Sequence, residues 1–317
     1  MLEEIRSSLS AVDISVHDIQ EFSSGLNSKV YLADSSKGNL TIHIVDCNIE
    51  HDYQQLDKKI ILVYDELENH PDIPTAPIIA AGKLDDGGVF FVNLFLEGDQ
   101  FGRREIKDMK VIDSYDVQDP EDLLKQLAKL MIRQHAIKGQ GFGYIDTNKN
   151  HICGRYDTWL DYLSTESGRW LGNLAVPSEE PYISPEEYEQ YKSDLRSLFE
   201  KQKGLLALTQ ASLLHWDINN PTNILIKDRN ISGIIDYEWA ILGDPLWDLV
   251  LSEDLVQEEY SRMTKTPLNL IRKKLLIYHP LWFLWGTNTH FPRPYILKTC
   301  LKEFTEGLDK LRDAGML

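Results

Sequence analysis

Hydrophobic and polar positions along the chain change texture near Gly98. Before it, short runs with a two-residue period predict strands: SVHDIQEF, KVYLAD, LTIHIVD, then GKLDDG and GVFFVNLFL. The DDGG between the last two has the turn chemistry of a β-hairpin. One helix interrupts them from about Asp52 to Leu67, where Tyr53, Leu56, Ile60, Val63 and Leu67 recur at helical spacing. Prolines in NHPDIP stop it. After Gly98 the pattern becomes mostly helical. DPEDLLKQLAKLMIRQHAI is the clearest case, with Asp119 as the expected N-cap and Pro120 in the first turn. Further helices are predicted around Thr158–Leu163, over Pro185–Lys203 and through much of 250–312. Within this half, ILIK (224–227) and ISGIIDYE form a strand pair joined by the turn KDRN. The expected class is α+β in two lobes: a small antiparallel β-rich lobe over residues 1–97, and a helical lobe over 98–317 that carries a short catalytic hairpin.

A chain of 317 residues with 42% hydrophobic content builds a sizeable core and favours two lobes over one. The first residues have neither a basic nor an apolar signal region, and no eighteen apolar residues run together, so the expected location is the cytoplasm, away from membranes. Cys47, Cys153 and Cys300 lie far apart and form no CxxC pair, which argues against a disulfide framework and against zinc. The net charge of −17 repels phosphate backbones and excludes nucleic acid as a natural partner. It would attract a cationic small molecule, although solubility is sufficient reason for an acidic surface.

The segment HWDINNPTNILI, followed by DYEWAILGDPLWDL, carries the candidate chemistry. Phosphoryl transfer to a hydroxyl needs placed charges more than reactive groups: a carboxylate that orients the attacking hydroxyl, and oxygen ligands for a divalent ion that holds the nucleotide phosphates. Asp217, in a short loop after Leu213-Leu214, suits the first role. Asn223, just before Ile224-Leu225-Ile226, and Asp236, after Ile234-Ile235, suit the second, because Mg²⁺ takes hard oxygen donors and keeps several waters. The hairpin between them brings the two to neighbouring positions at one end.

These residues, with Gly243-Asp244-Pro245-x-x-Asp248-Leu249 after them, resemble the aminoglycoside phosphotransferase family, the small-molecule relatives of protein kinases. GQGFGYID and Thr158-Trp159-Leu160-Asp161-Tyr162 resemble its hygromycin B phosphotransferase-like members. Ser24-Gly25-Leu26-Asn27-Ser28 resembles the nucleotide-covering loop, and FVNLFLEG, with Leu94 and Leu96, resembles the hinge strand that meets adenine. The resemblance implies a kinase-like fold, ATP or GTP as donor, Mg²⁺, and a small-molecule alcohol as acceptor, bound by a monomer or homodimer. Aminoglycosides lead as acceptors, ahead of macrolides, choline and homoserine. His215 would support the catalytic loop, and Asp244 and Asp248 would brace that loop and cap the following helix rather than react.

Two departures from the family pattern stand out. Asn223 lies six residues after Asp217 where the family spacing is five, so Asn219 and Asn220 compete with it as metal ligands. The third strand carries His43 where a phosphate-gripping lysine is expected. A histidine fills that role only when protonated, and needs a carboxylate to raise its pKa; Asp57 is the expected partner, with Glu50 second. This substitution motivates the alternative of a catalytically degenerate binding or sensor protein. Glu238 reads equally as a ligand for a second metal or substrate amine and as an exposed loop carboxylate. Trp159, Trp247, Trp282 and Trp285 read as core rather than as a sugar-stacking wall.

Overall fold

The structure is a computed structural model, which describes residues 2–24, 28–45, 55–175, 182–289 and 293–317. The chain opens on α1 (Leu2–Ser10) and a meander of β1 (Val16–Ser24), β2 (Ser28–Ser35) and β3 (Gly38–Val45). Next come α2 (Leu56–Glu68) and a hairpin of β4 (Ile78–Lys83) and β5 (Val89–Leu94) turning at Asp85–Gly88. After β6 (Asp99–Gln100), a second hairpin, β7 (Gly102–Lys107) and β8 (Lys110–Tyr115), precedes α3 (Glu121–Ala136). Short strands β9 (Lys138–Gly139), β10 (Phe142–Ile145) and β11 (Gly154–Tyr156) lead to α4 (Trp159–Ala175) and α5 (Pro185–Leu206). Then β12 (Ala211–Leu214), β13 (Ile224–Lys227), β14 (Asn230–Ile234) and β15 (Ile241–Gly243) alternate with loops and 3-10 turns. The chain closes on α6 (Asp254–Thr264), α7 (Leu268–Thr289) and α8 (Pro294–Asp313).

Residues 1–99, 146–152 and 224–239 form one compact unit, and the remainder forms a second. The first is built on an antiparallel sheet of order β1-β2-β3-β5-β4. Side-chain alternation sends Ala33, Leu40, Ile42, Ile44, Phe90 and Val92 into a core closed by Ile5 and Leu9 of α1. α2 buries Leu56, Ile60, Val63, Tyr64 and Leu67, the stripe that its sequence predicts, and adds Lys59 to it. The Tyr53 end of the predicted helix lies outside the described residues.

The hairpin β13–β14 clusters with this first unit, whereas its sequence position suggested the helical half. Polar ties explain the placement. Ile234 N–H donates to Pro74 O at 2.8 Å, the Ser232 hydroxyl donates to Glu97 O at 2.8 Å, and Lys227 pairs with Glu97. In its register Ile224 faces Ile234, so the strand ends that adjoin Asn223 and Asp236 lie side by side.

Among the described residues, the second unit packs six helices and the sheet β11-β10-β15-β12-β9 around an aromatic core. Two features differ from the sequence reading. The β7–β8 hairpin stands where helix was expected, and it turns through Asp108 and Met109, both left-handed at φ 52° and 55°. α3 begins at Glu121 with Pro120 in the N-cap position, while the Asp119 carboxylate accepts from Glu121 N–H at 3.4 Å.

Candidate functional site

The loop after β12 is assembled around Asp248, which is fully buried. Its carboxylate accepts the main-chain N–H of His215 at 3.0 Å and of Trp216 at 2.8 Å, and contacts His135 Nε2 at 3.1 Å. Trp216 is left-handed at φ 82°, a conformation that a bulky residue adopts only where its surroundings enforce it. Here the Asp248 carboxylate and stacking on Trp247, with centroids 4.5 Å apart, hold it. Asp217 is thereby turned out of the strand line.

The Asp217 side chain retains 21% exposure and is gripped on both oxygens. Arg104 Nη1 donates to Oδ1 at 2.7 Å, and Asn220 Nδ2 donates to Oδ2 at 2.9 Å. Arg104 is itself locked by a fork onto Asp113, with Nε and Nη2 each 2.8 Å from a carboxylate oxygen, and its Nη2 reaches Asn219 Oδ1 at 3.0 Å. Burial pushes the Asp217 carboxyl above its ordinary value, opposed first by the Arg104 guanidinium and then by the Asn220 amide. Burial also works against the charge of Arg104, but Asp217 and Asp113 outweigh it and raise its pKa. Neither Arg104 nor Asp113 was singled out from the sequence. The only signal was period-two alternation in GRREIKDMKVIDS, whose Asp-Met turn lacks the glycine that marks such hairpins.

The three asparagines of this loop are differently committed. Asn219 donates to Asp248 O at 3.1 Å and to Val250 O, while its own oxygen receives Arg104. The oxygen of Asn220 accepts both the N–H of Thr222 at 3.2 Å and its hydroxyl at 2.8 Å. Asn223 Nδ2 donates to Asp217 O at 3.1 Å, and its oxygen takes only a long 3.4 Å contact from the Thr222 hydroxyl. The amide oxygen of Asn223 is therefore the least engaged of the three. Asp236, after β14, is left-handed at φ 72°. Among the described residues no cluster of three or more His, Cys, Asp or Glu side chains is arranged for a metal.

In the first unit His43 stacks flat on Phe91, with centroids 4.6 Å apart and an 8° interplanar angle. Burial pushes its imidazole down to about 4, the opposite of the raised pKa a phosphate grip requires, so it is neutral near pH 7. That corrects the sequence-based reading of His43 as a charged ligand. Among the described residues no ion pair joins it to Asp57, whose buried Oδ1 has no hydrogen-bond partner there. Leu94 ends β5 and is exposed, and Leu96 packs against Gly233 of β14. Ser24 closes β1, while Gly25, Asn27 and Glu50 lie outside the described residues. Glu238 is buried rather than exposed, and its main-chain oxygen accepts the Lys59 ammonium at 2.5 Å.

The flanking motifs pack on each other. Gly143 of GQGFGYID is left-handed at φ 75°, and a Cβ there would stand 2.3 Å from Tyr162 Cδ2. Tyr162 in turn stacks on Trp159 at 5.0 Å. Asp244 caps the Pro245–Leu249 turn through Leu246 N–H and receives Lys274 Nζ at 2.5 Å and the Tyr278 hydroxyl at 2.6 Å. Trp159, Trp247 and Trp285 are buried in this core, as their sequence reading expected, whereas Trp282 is half-buried.

A two-unit α+β chain with an HxD loop, a following strand pair and a braced GDPxxDL segment defines the protein-kinase-like phosphotransferase class. Residues 18–261 match the model of the phosphotransferase enzyme family, and the chain belongs to that family. No curated protein matches the sequence. Among solved structures, it is similar to a ligand-free thermostable mutant of aminoglycoside phosphotransferase APH(4)-Ia, with a TM-score of 0.65 and 15% identity over 97% of this chain and 96% of that one. A ternary complex of the same enzyme with AMP-PNP and hygromycin B gives 0.62 at 15% identity, covering 95% and 94%. The GDP and kanamycin complex of APH(2")-IIIa gives 0.65 at 14% identity, covering 98% and 99%. The fold is therefore that of the aminoglycoside phosphotransferases. No described helix is long and apolar enough to cross a membrane.

Proposed function

We propose that the protein transfers the terminal phosphoryl group of ATP or GTP to a hydroxyl of a small molecule, with Asp217 as the carboxylate that orients that hydroxyl and accepts its proton. The observation that carries this reading is Asp217 itself, part-exposed and held at both oxygens on a loop locked to Asp248. A carboxylate fixed in this way meets the positioning requirement of phosphoryl transfer without any rearrangement of its own. Asn223 and Asp236 would hold Mg²⁺; both offer hard oxygen donors, and the weakly engaged amide oxygen of Asn223 fits that role better than Asn219 or Asn220. When bound, the ion would neutralise charge on the phosphates. Asp217 then directs the hydroxyl lone pair at phosphorus, and Arg104 and Asn220 keep the carboxylate from rotating away.

Among acceptors, aminoglycosides lead, because the similar enzymes of known structure carry hygromycin B and kanamycin and the chain is strongly acidic. The test is nucleotide consumption with Mg²⁺ against aminoglycosides, macrolides, choline and homoserine, beside Asp217→Ala. Acceptor-dependent turnover lost in the variant supports the enzyme. Equal turnover in both proteins refutes the role of Asp217. A second reading, a binding or sensor protein that keeps the fold, draws on the neutral His43. It predicts Mg-nucleotide binding, seen as thermal stabilisation, with no acceptor consumed.

A further inference from the structure

The stacked imidazole of His43 leaves β3 without a charged group for nucleotide phosphates. The inner stripe of α2, by contrast, contains a cation. Lys59 falls between Leu56 and Val63 at a position that otherwise takes apolar residues, and only 8% of it is exposed. A lysine needed only for solubility would extend its ammonium to water along its flexible stem. Here Nζ turns inward and donates to Glu238 O at 2.5 Å, two residues beyond Asp236. One turn further along α2, Tyr64 meets Tyr237 edge-on at 5.7 Å. Asp236 and Glu238 both push the Tyr64 phenol upward, after burial. Helix α2 therefore delivers an ammonium to the short segment that carries the proposed metal ligand.

We propose that Lys59, from α2, supplies the cation for the phosphate chain of a nucleoside triphosphate that β3 does not supply in this protein. The assignment rests on the phosphotransferase reading and on the position of Asp236 in it. A neutral side chain of similar length would fill the stripe and avoid the desolvation of a charge. A compact point charge on a long stem suits a phosphate oxygen, and its reach to the Glu238 carbonyl, two residues beyond Asp236, would bring it near the phosphates.

The test is calorimetric binding of adenosine, ADP and ATP, and of the guanine series, to the full chain with Mg²⁺, in the wild type, Lys59→Gln and His43→Ala. Glutamine keeps a donor for Glu238 O and removes only the charge, so folding is checked independently by circular dichroism. Lys59→Gln should bind the triphosphate about tenfold or more weakly while nucleoside affinity stays within about twofold; His43→Ala should change neither. Should Lys59→Gln not fold, Lys59→Met, which fills the apolar stripe, takes its place with the same expectation. Unchanged triphosphate affinity, an equal loss for nucleoside and triphosphate, or a loss in His43→Ala as large as that in Lys59→Gln would overturn the assignment. A wild type that binds neither series would sink the phosphotransferase reading and this inference together. An insensitive Lys59 variant of a nucleotide-binding protein sinks this inference alone.

Discussion

Replacing Arg104 by methionine tests the electrostatic design of the site without touching Asp217. The guanidinium makes charge-assisted hydrogen bonds at 2.8 and 2.8 Å to Asp113, 2.7 Å to Asp217 and 3.0 Å to the Asn219 side chain, with a longer one of 3.5 Å to Asn219 O. Its side chain and that of Asp113 are each 12% exposed, so solvent screens the cluster weakly. Methionine retains much of the packing volume, so the dominant loss is two carboxylates left without their counter-charge. Removing one partner of a buried pair costs about 3–5 kcal/mol. Urea unfolding followed by tryptophan fluorescence reads this directly, because six of the seven tryptophans belong to the unit that holds Arg104. The sign with pH comes from linkage. Asp217 already has a folded pKa above its unfolded one, and loss of Arg104 raises it further. Protonation then favours the folded state, so the deficit of Arg104→Met is greatest near neutrality and shrinks as pH falls toward 4. Arg104→Met with Asp113→Asn and Asp217→Asn should recover most of the loss. A deficit below about 1 kcal/mol, or one independent of pH, would refute the view that Arg104 compensates these buried carboxylates.

Three other perturbations probe the packing around the site and the charge state of β3. Gly143→Ala forces a left-handed alanine into Tyr162 and should destabilise the helical unit by about 2–4 kcal/mol, read as a lowered melting temperature. Tyr278→Phe removes the hydroxyl that Asp244 accepts at 2.6 Å and should cost about 1.5–3 kcal/mol in urea unfolding; a smaller loss would mean that Lys274 alone holds Asp244. His43 is neutral when folded and titrates near 6.5 when unfolded, so its contribution to stability is present above pH 6.5 and is lost as pH falls toward 4, by up to about 3 kcal/mol. His43→Phe should flatten that part of the stability profile, with His279, which burial likewise pushes to about 4, unchanged in both proteins.

The parts of the fold legible in the sequence were those with a local period or a local motif. The strands of the first sheet, the Asp85–Gly88 turn, α2, α3 and α5 are each encoded within a dozen or two residues. The same holds for the HxD loop and the hairpin after it. The β7–β8 hairpin escaped because its turn uses Asp108 and Met109 in left-handed conformations, with no glycine or asparagine to mark it. Arg104 escaped with it, since its partner Asp217 is 113 residues away and no periodicity links them. Lys59 was present in the sequence as a break in an apolar stripe, but a lysine there reads as a surface residue until its ammonium is seen to turn inward. The charge state of His43 was misjudged for a related reason. Its pKa depends on the burial and the Phe91 ring that the β3–β5 pairing provides, and neither is a property of the neighbouring residues.

The separation between Asp217 and Asp248 shows why the two halves of the motif occur together. The loop that carries Asp217 holds Trp216 in a left-handed conformation, a strain that persists only where the surroundings enforce it. The compensation comes from Asp248, which takes the two consecutive N–H groups of His215 and Trp216, and from Trp247, which stacks on the displaced indole. These donors and His135 satisfy the buried Asp248 carboxylate, and the turn that carries it is fixed by Asp244 with Lys274 and Tyr278. The direction of Asp217 is thus set by residues far along the chain, each committed to the next. Substitution of Asp248 should therefore disturb the Asp217 loop as severely as a change within it.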